Sequence, residues 1–560
     1  MSVLAAVVLA ASVEAVTSAA EVRACRPLPD GRVLAATSGG LVLYTRALDV
    51  ERVWTALDGL PSTDAHALLP DADGRRVWIG TAAGIAALDT SDGRVHPVAP
   101  VGDVRALAVH DGRLVAGTWG SGVVALDPAT AAVIARSTTA TTATAEASRV
   151  TSLAAGGSGL LVGTAGAGLF VWDGTALRAA SPLADPYVTA IGASDGRVLV
   201  GTLAGVIDAD SGVRVSSVEA RALVAMGGAF WAATMGEGVQ RVGGDRGDPL
   251  LRDVTTALGV GGDVMCAGTD DGLYVRRGGV WVRAADTGLP SNDVAALAWD
   301  GGRLWAGTFD RGLAVLERGG WTAVEGLDAR VNALAVERTA LGRRVWVATA
   351  RGLASVEDGV VRVLRRADGL PDDDVHAVAP LSAGGVVVGT ARGAVIVREG
   401  RVLPVGPKRL PVHATFAVAE AADGALWLGT TSGLFRVRGE RFRRFALASG
   451  DVPDDWVTAL AVDGAALWVG TYAGGVARIA TDARGRDVGR TALADVHVNA
   501  AGLSVHGGRV YVATMEGLFV GGGGAFQRVA DAAPGPDVTA VVYADGARWV
   551  ASRNGLGTSR

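Results

Sequence analysis

The chain has 560 residues, a formal net charge of −5, a hydrophobic fraction of 49% and 80 glycines. This length exceeds one small core, the apolar content excludes a disordered protein, and the lack of a basic run makes nucleic acid an unsuitable partner. The glycine content, about twice the usual share, indicates a β protein with many tight turns.

The first residues of the chain have two interpretations. An apolar stretch over residues 1–13 ends at Glu14 and is too short to span a bilayer, so no transmembrane segment is expected. Small residues at 18–20 are typical of a signal-peptide cleavage point, although the usual basic residues before the apolar stretch are missing. Alternatively, Val3–Ala11 is a β-strand that completes the last repeat of the chain. The signal peptide implies the expected periplasmic or extracellular location, and the strand implies a cytoplasmic one.

One short phrase recurs along the whole chain. It consists of an apolar pair, Gly-Thr or Ala-Thr, a few turn residues, a glycine and an alternating apolar run, as in Val77–Thr81 and Leu467–Thr471. Its threonine falls at positions 37, 81, 118, 164, 202, 234, 269, 308, 349, 390, 430, 471 and 514, and Ser552 marks a last copy. The chain therefore contains fourteen copies of one structural unit.

Each copy predicts four β-strands. In the copy around Thr471 the first three are Val457–Val462, Leu467–Thr471 and Val476–Ile479, with Asp463-Gly464 as a hairpin turn and a looser fourth strand after them. A four-stranded unit of about 40 residues is typical of a β-propeller blade. The sequence thus predicts an all-β protein of about fourteen four-stranded blades without long helices.

Fourteen blades predict two seven-bladed β-propellers, because single rings usually have four to eight blades. If the N-terminal strand closes the last blade, the first propeller comprises 1–250 plus 535–560 and the second 251–534. If that segment is removed, the simpler division is 21–285 and 286–560.

Tryptophan recurs at one register of the second strand. Because alternate side chains of a strand share one sheet face, these rings are predicted to pack between neighbouring blades. The seven residues are Trp78, Trp231, Trp305, Trp346, Trp427, Trp468 and Trp549.

The two cysteines also fall at core positions. Cys266 occupies the tryptophan register, and Cys25 aligns with Leu107 in a first strand. Since their copies are six apart in the sequence, both are predicted to be unpaired, buried thiols. A supply of two cysteines excludes a disulfide framework or a paired CxxC metal site.

The segments between blades carry a second signature. Asp58–Pro61, Gly288–Asn292 and Asp368–Pro371 each contain Gly-Leu-Pro ahead of the next first strand. With the Leu-Trp-hydrophobic-Gly-Thr phrase, they resemble the two-component regulator propeller repeats over essentially the whole chain. That family forms periplasmic sensor regions of hybrid two-component systems, so the resemblance implies a sensor-type double propeller. No kinase or receiver segment follows Arg560, and we expect no signalling output from this chain itself.

Catalytic motifs are not recognisable in the sequence. The seven histidines are scattered singly without metal-binding spacing, and His66 and His376 take a small-or-polar position of a first strand, where a structural role is expected. Asp372–Asp374 and Asp454–Asp455 are interpreted as turn and strand-entry residues, although a hydrolase can place its acid and base in such loops. We expect no cofactor, no bound metal and no enzymatic activity.

The best surface signal lies in the turns between second and third strands, which open on the same face as the inter-blade loops. Arginines occupy these turns in three successive copies, and aromatic residues follow the repeat threonine directly. Both residue types are enriched in interfaces, and the alternative is a solvated turn of random composition. The candidate binding residues are Trp119, Phe309, Arg311, Arg351, Arg392, Trp456 and Tyr472.

Two functions of different classes remain open. The first is a non-enzymatic module, of sensor or scaffold type, that binds a protein, peptide or glycan on faces built by loops. The second is a polysaccharide lyase or glycosidase that acts in the cleft between two propellers. The lack of convergent histidine, tyrosine and carboxylate positions favours the binding module.

Overall fold

The computed structural model describes residues 13–71, 73–139, 145–156, 159–180, 182–244, 254–339, 342–408, 410–481, 487–522 and 525–560. Helical structure in these ranges is limited to four 3₁₀ segments, Ala56–Asp58, Ala145–Ser148, Arg366–Asp368 and Leu447–Ser449. The prediction of an all-β protein is confirmed. Over the same ranges, no helix is long and apolar enough to cross a membrane.

The strands form fourteen separate sheets, of which twelve have four strands, one has five and one has three. We number them as blades in chain order. The strands of the first seven are Val22–Pro27, Val33–Thr37, Gly40–Tyr44 and Val50–Trp54 (blade 1); Ala65–Pro70, Arg76–Thr81, Gly84–Asp89 and Val95–Ala99 (blade 2); Val104–His110, Arg113–Thr118, Gly122–Leu126 and Val133–Arg136 (blade 3); Val150–Gly156, Gly159–Thr164, Leu169–Trp172 and Ala176–Ala179, with Thr138–Thr139 at the edge (blade 4); Val188–Ser194, Arg197–Thr202, Gly205–Asp208 and Arg214–Ser216 (blade 5); Ala220–Met226, Ala229–Thr234 and Val239–Arg241 (blade 6); and Thr255–Gly261, Val264–Thr269, Gly272–Arg277 and Val280–Arg283 (blade 7).

The other seven blades repeat this order, and the last one takes its fourth strand from the N-terminal part of the chain. Their strands are Val294–Trp299, Leu304–Thr308, Leu313–Glu317 and Gly320–Val324 (blade 8); Val331–Thr339, Gly342–Thr349, Gly352–Glu357 and Val360–Leu364 (blade 9); Val375–Pro380, Val386–Thr390, Gly393–Arg398 and Arg401–Pro404 (blade 10); Thr415–Glu420, Leu426–Thr430, Gly433–Arg438 and Arg441–Phe445 (blade 11); Val457–Asp463, Ala466–Thr471, Gly475–Thr481 and Asp487–Leu493 (blade 12); Val498–His506, Arg509–Thr514, Gly517–Gly521 and Gln527–Val529 (blade 13); and Val538–Ala544, Ala547–Ser552, Gly555–Ser559 and Glu14–Val16 (blade 14).

Two rings of seven blades close separately. First strands of successive blades contact one another, blade 7 contacts blade 1, and blade 14 contacts blade 8. A hydroxyl on the bulged first strand marks each closure, since Thr256 Oγ1 donates to Val22 O at 2.6 Å and Thr539 Oγ1 donates to Val294 O at 2.5 Å. We call Ser18–Thr287 the first propeller, and Gly288–Arg560 with the N-terminal residues as far as Thr17 the second propeller.

The predicted division into 1–250 plus 535–560 and 251–534 is wrong. An N-terminal strand does complete the last blade, because Glu14 and Ala15 pair with Thr558 and Gly557. However, that blade closes on blade 8 and not on blade 1. The alternative division, 21–285 and 286–560, has its boundary within two residues of the observed one between Thr287 and Gly288. It differs mainly because it leaves the N-terminal strand out of the second propeller. The segment Val3–Ala11, predicted as the closing strand, lies outside the described residues.

The repeat threonine holds the turn between the second and third strands of its blade. In each of the fourteen copies the hydroxyl, which belongs to Ser552 in the last copy, donates to the carbonyl of the glycine at the start of the third strand or directly before it, at 2.7–3.0 Å. The glycine that precedes the repeat threonine allows the next blade to approach closely. In blade 12 this glycine is Gly470, and a Cβ there would lie 2.6 Å from Val498 Cγ1 of the next blade. The Gly-Thr pair therefore serves both blade contact and turn geometry.

Removing one of these hydroxyls has a modest, measurable expected cost. Thr308 is fully buried, donates to Gly312 O at 2.8 Å and accepts from Arg311 N at 3.0 Å. The change Thr308→Val is expected to lower the free energy of unfolding by about 1–2 kcal/mol, because it leaves buried polar groups without this partner. Denaturant unfolding measures the change, and Thr322→Val, at an exposed position of the same blade, is the control. Equal effects of the two changes would contradict this role.

The tryptophans of the second strand pack between blades, as predicted. Trp468 is 2% exposed and contacts Val498 and Val510 of the next blade. Its indole N–H donates to Asp463 at 3.3 Å, and Arg478 lies over its ring at 5.7 Å. Equivalent pairs with a carboxylate occur at Trp78, Trp305 and Trp346. Trp231 and Trp549 are only partly buried.

The prediction of two unpaired cysteines is wrong. Cys25 and Cys266 form a disulfide with a Cα–Cα distance of 6.2 Å. Although their copies are six apart in the sequence, blades 1 and 7 are neighbours in the closed ring. Gly259 permits the approach, since a Cβ there would collide with the Cys25 carbonyl oxygen and lie 2.8 Å from Cys266 Sγ. Both cysteines are nevertheless buried core residues, as expected.

Candidate functional site

One face of each propeller brings together two parts of a blade that are distant in sequence. The residue after the repeat threonine donates its N–H to the residue that precedes the first strand. Examples are Phe309 to Asp293 O at 2.9 Å and Tyr472 to Trp456 O at 2.9 Å. We call this the turn face of the propeller.

Five rings form a continuous arc on the turn face of the second propeller. His376 stacks on Phe416 at 4.4 Å between ring centroids, Phe416 tilts against Trp456 at 5.7 Å, and Trp456 stacks on Tyr472 at 4.5 Å. His497 meets Tyr472 edge-on at 5.6 Å. We call these residues the aromatic arc, and they come from blades 10, 11, 12 and 13.

The centre of the aromatic arc is exposed and held in place by its own loop. Trp456 is 36% and Tyr472 is 38% exposed. Asp454 accepts from Trp456 N at 3.2 Å and from Ala473 N at 3.0 Å, so one carboxylate fixes both segments that carry the rings. Large aromatic side chains on a fixed backbone supply contact area at low entropic cost.

A hydrogen-bonded pair, His497 and Glu516, lies at one end of the aromatic arc. His497 Nδ1 lies 2.6 Å from Glu516 Oε1, and Glu516 also accepts from His497 N at 3.2 Å. Burial alone would raise the pKa of the Glu516 carboxyl, but the hydrogen bonds from His497 outweigh it and hold this pKa below its usual value. Glu516 is therefore an ionised acceptor beside the rings at neutral pH.

The opposite side of the same turn face is rich in arginine. The Phe309 ring lies between the guanidinium groups of Arg330 at 4.5 Å and Arg553 at 5.2 Å. Arg553 in turn binds Asp293 at 2.5 Å and lies 3.8 Å from Asp537. Burial raises the pKa of Asp293 above its usual value even though Arg553 opposes this shift.

The three predicted arginines occupy equivalent turns of blades 8, 9 and 10 on this side. Arg351 lies 3.4 Å from Asp328 and Arg392 lies 3.2 Å from Asp372, with the arginine side chains 82% and 67% exposed. The N–H of Arg311 donates to the repeat threonine Thr308. The carboxylate partners come from the preceding inter-blade loops, and no pattern in the sequence indicated these pairs.

Arg392 also borders a surface cavity of about 960 Å³. Val395, Leu410 and Val412 contribute its apolar lining, and Lys408 adds a second cation. This volume is within the range of small-molecule sites. The arginine side of the turn face thus offers concave as well as flat surface.

Trp119 belongs to the first propeller, whereas the other six predicted site residues belong to the second. It is 41% exposed, and the guanidinium groups of Arg105 and Arg149 each lie 5.7 Å from its ring. The remaining six share the turn face of the second propeller. The predicted binding residues therefore divide between the two propellers, one in the first and six in the second.

His66 forms a cluster in the first propeller that sequence reasoning treated only as a structural histidine. Its side chain is 2% exposed, with Nε2 3.0 Å from Asp64 and Nδ1 2.9 Å from Asp103. Burial would raise the pKa of Asp64, but the hydrogen bond from His66 and the charges of Arg23 and Arg105 hold it below its usual value. Aspartate two residues before a first-strand histidine was a usable signal, since Asp374 and His376 repeat it at 3.2 Å.

The clustered aspartates are engaged in holding loops. Asp372 accepts from Asp374 N at 3.1 Å, Asp373 accepts from Arg366 N at 2.6 Å, and Asp455 accepts from Leu447 N at 2.8 Å. These are the bonds of turn and strand-entry residues. Over the described ranges, no three His, Cys, Asp or Glu side chains converge as metal ligands.

Comparisons with known proteins agree with this architecture. Residues 59–83 match the model of the two component regulator propeller, so the resemblance stated from the sequence is confirmed. No curated protein matches the chain. PorZ, a surface component of the type-IX secretion system of Porphyromonas gingivalis, has a similar structure with a TM-score of 0.76 at 17% identity, covering 98% of this chain and 87% of that chain.

Two further solved structures are similar. A GH74 xyloglucanase from Xanthomonas campestris has a TM-score of 0.69 at 14% identity, covering 98% of this chain and 99% of that chain. The extracellular domain of a putative hybrid two component system from B. thetaiotaomicron has a TM-score of 0.42 at 17% identity, covering 98% and 83%. At these identities the first two matches show the fold alone, since one fold hosts many functions.

Proposed function

We propose that this protein is a non-enzymatic binding module of sensor or scaffold type. Its partner, a protein, peptide or glycan, binds on the turn face of the second propeller. The aromatic arc carries this proposal, because it places two exposed rings, Trp456 and Tyr472, on a backbone fixed by Asp454. Rigid exposed aromatics are the residues that dominate binding energy in interfaces.

The carboxylates of this face support binding over catalysis. Asp372, Asp373, Asp454 and Asp455 all accept backbone N–H groups of their own loops. A general acid or base must instead be available to a reacting group. The match of residues 59–83 to the model of the two component regulator propeller supports a sensor role independently of these carboxylates.

A polysaccharide lyase or glycosidase is the second candidate. The structural similarity to a GH74 xyloglucanase favours it at the level of the fold. Asp293 adds a specific observation, because a carboxyl of raised pKa is what a glycosidase uses as its general acid. Release of reducing ends from polysaccharides that is lost in Asp293→Asn would establish this function in place of binding.

The disulfide supports a location outside the cytoplasm. Disulfides such as Cys25–Cys266 persist in the periplasm and outside the cell, whereas cytosolic thiols are kept reduced. We therefore propose a location in the periplasm or at the cell exterior. Alkylation of thiols under denaturing conditions in fractionated cells tests this: because both cysteines are buried in the folded protein, Cys25 and Cys266 should react in the denatured chain only after reduction.

The predicted arginines provide the test of the binding face. In the triple variant Arg311→Ala/Arg351→Ala/Arg392→Ala, we expect the affinity for an anionic partner selected on glycan and peptide arrays to fall at least tenfold, because arginine binds carboxylates and other anionic groups through paired hydrogen bonds. Each exposed arginine contributes on the order of 1 kcal/mol, and added salt weakens that contribution. Thermal stability should be nearly unchanged, because exposed ion pairs such as Arg351–Asp328 stabilise little.

Titration calorimetry and thermal unfolding measure the two quantities. The triple variant Arg75→Ala/Arg94→Ala/Arg178→Ala, at three exposed ion pairs of the first propeller, is the control for a general loss of positive charge. If the triple variant binds the selected partner as tightly as the parent, the arginine side is solvated surface and the binding site lies elsewhere.

A further inference from the structure

We propose that the aromatic arc binds a neutral saccharide chain, with Trp456 and Tyr472 as its central contact. This inference rests on the proposed binding function and names the ligand class of that site. Three properties of the arc carry it: its continuous aromatic surface, the acceptors beside that surface, and the sign of the charges there.

The surface suits a chain of rings. Four consecutive ring contacts of 4.4 to 5.7 Å join His376 to His497. The exposed rings of this series are Trp456, Tyr472 and His497, in the neighbouring blades 12 and 13. Sugar rings present C–H groups that contact aromatic surface favourably, because the aromatic face carries partial negative charge. An elongated ligand can therefore contact several members of the arc at once.

The polar groups beside the rings accept hydrogen bonds. Asp454 and Asp455 directly precede Trp456 in the chain, and Glu516 borders the end of the arc next to His497. A carboxylate oxygen that already accepts one backbone N–H retains a second lone pair. Sugar hydroxyls are donors of matching size, and carboxylates bind such donors more strongly than neutral acceptors do.

The charges around the arc select against anionic ligands. Asp454, Asp455 and Glu516 are negative, and the low pKa of Glu516 keeps that group ionised at neutral pH. Arg444, 3.8 Å from Asp455, offsets one of these three charges. The arginines of this face that contact Phe309 lie on its opposite side, in blade 14 and at the entry to blade 9. An acidic saccharide would meet repulsion at the arc, whereas a neutral one exchanges water for hydroxyl–carboxylate bonds.

A saccharide and peptide array followed by calorimetry tests this proposal. The probes are neutral gluco-, manno-, galacto- and xylo-oligosaccharides, oligogalacturonates as acidic saccharides, and hexalysine as a basic peptide. We expect binding of at least one neutral series, an affinity loss of at least tenfold in Trp456→Ala and in Tyr472→Ala, and retention within threefold in Trp456→Phe. Trp119→Ala, at an exposed tryptophan of the first propeller, is the matched control and should bind as the parent does.

The outcomes separate this inference from the proposed function. Binding of hexalysine or oligogalacturonate in place of neutral saccharides, with loss in Trp456→Ala, would overturn the ligand class but retain the binding site. Neutral saccharide binding that Trp456→Ala leaves intact would overturn the assignment to the arc. An absence of binding to every probe would overturn the saccharide inference and leave the proposed binding function to the test of the arginine triple variant.

Discussion

Replacing Cys25 and Cys266 with alanine is expected to lower the free energy of unfolding of the first propeller by about 3–5 kcal/mol. The disulfide joins residues 241 positions apart and links blade 7 to blade 1. A cross-link of this span strongly restricts the unfolded chain, and here it also prevents the ring from opening at its closure. Alanine leaves little packing deficit, because both positions accept small side chains.

Denaturant unfolding of the double variant measures this effect. The parent under a thiol reductant should show the same loss, whereas the transition of the second propeller should stay unchanged in both samples. Peptide mapping under non-reducing conditions should recover Cys25 and Cys266 in one linked peptide. Two free thiols in the natively expressed protein, or equal stability of parent and variant, would contradict the closure role.

Trp468→Ala is expected to cost the second propeller about 3–5 kcal/mol. Trp468 is 2% exposed, packs against Val498 and Val510 of the next blade, and meets Phe526 edge-on at 5.9 Å. Truncation removes this inter-blade contact, leaves a cavity, and deprives Asp463 of the indole N–H. Thermal and denaturant unfolding should both show the loss.

The control for this change lies in the same blade. Trp456→Ala removes a ring of the same size that is 36% exposed, and its stability cost should stay below about 1 kcal/mol. Trp468→Ala should therefore reduce stability, whereas Trp456→Ala should reduce ligand binding. Similar stability losses in both variants would show that Trp456 belongs to the core.

The blades were predictable because each is specified by residues close together in sequence. A hairpin turn, the hydroxyl of Thr471 on Gly475 and the register of Trp468 all act within one blade or on the next one. The same local logic placed the turns with Arg311, Arg351 and Arg392 on three successive blades. The individual residues of the turn face were therefore recognisable, although their partners were not.

The sequence by itself thus determined the all-β class, the fourteen blades and the residues packed between them, since these follow from a repeated short-range pattern. Only the tertiary structure decided where each ring closes, because Thr539 meets Val294 across 245 positions and no local pattern specifies that contact. The Cys25–Cys266 disulfide depends on the same closure. So does the aromatic arc, since Phe416 and Trp456 become neighbours only when successive blades are arranged around one axis.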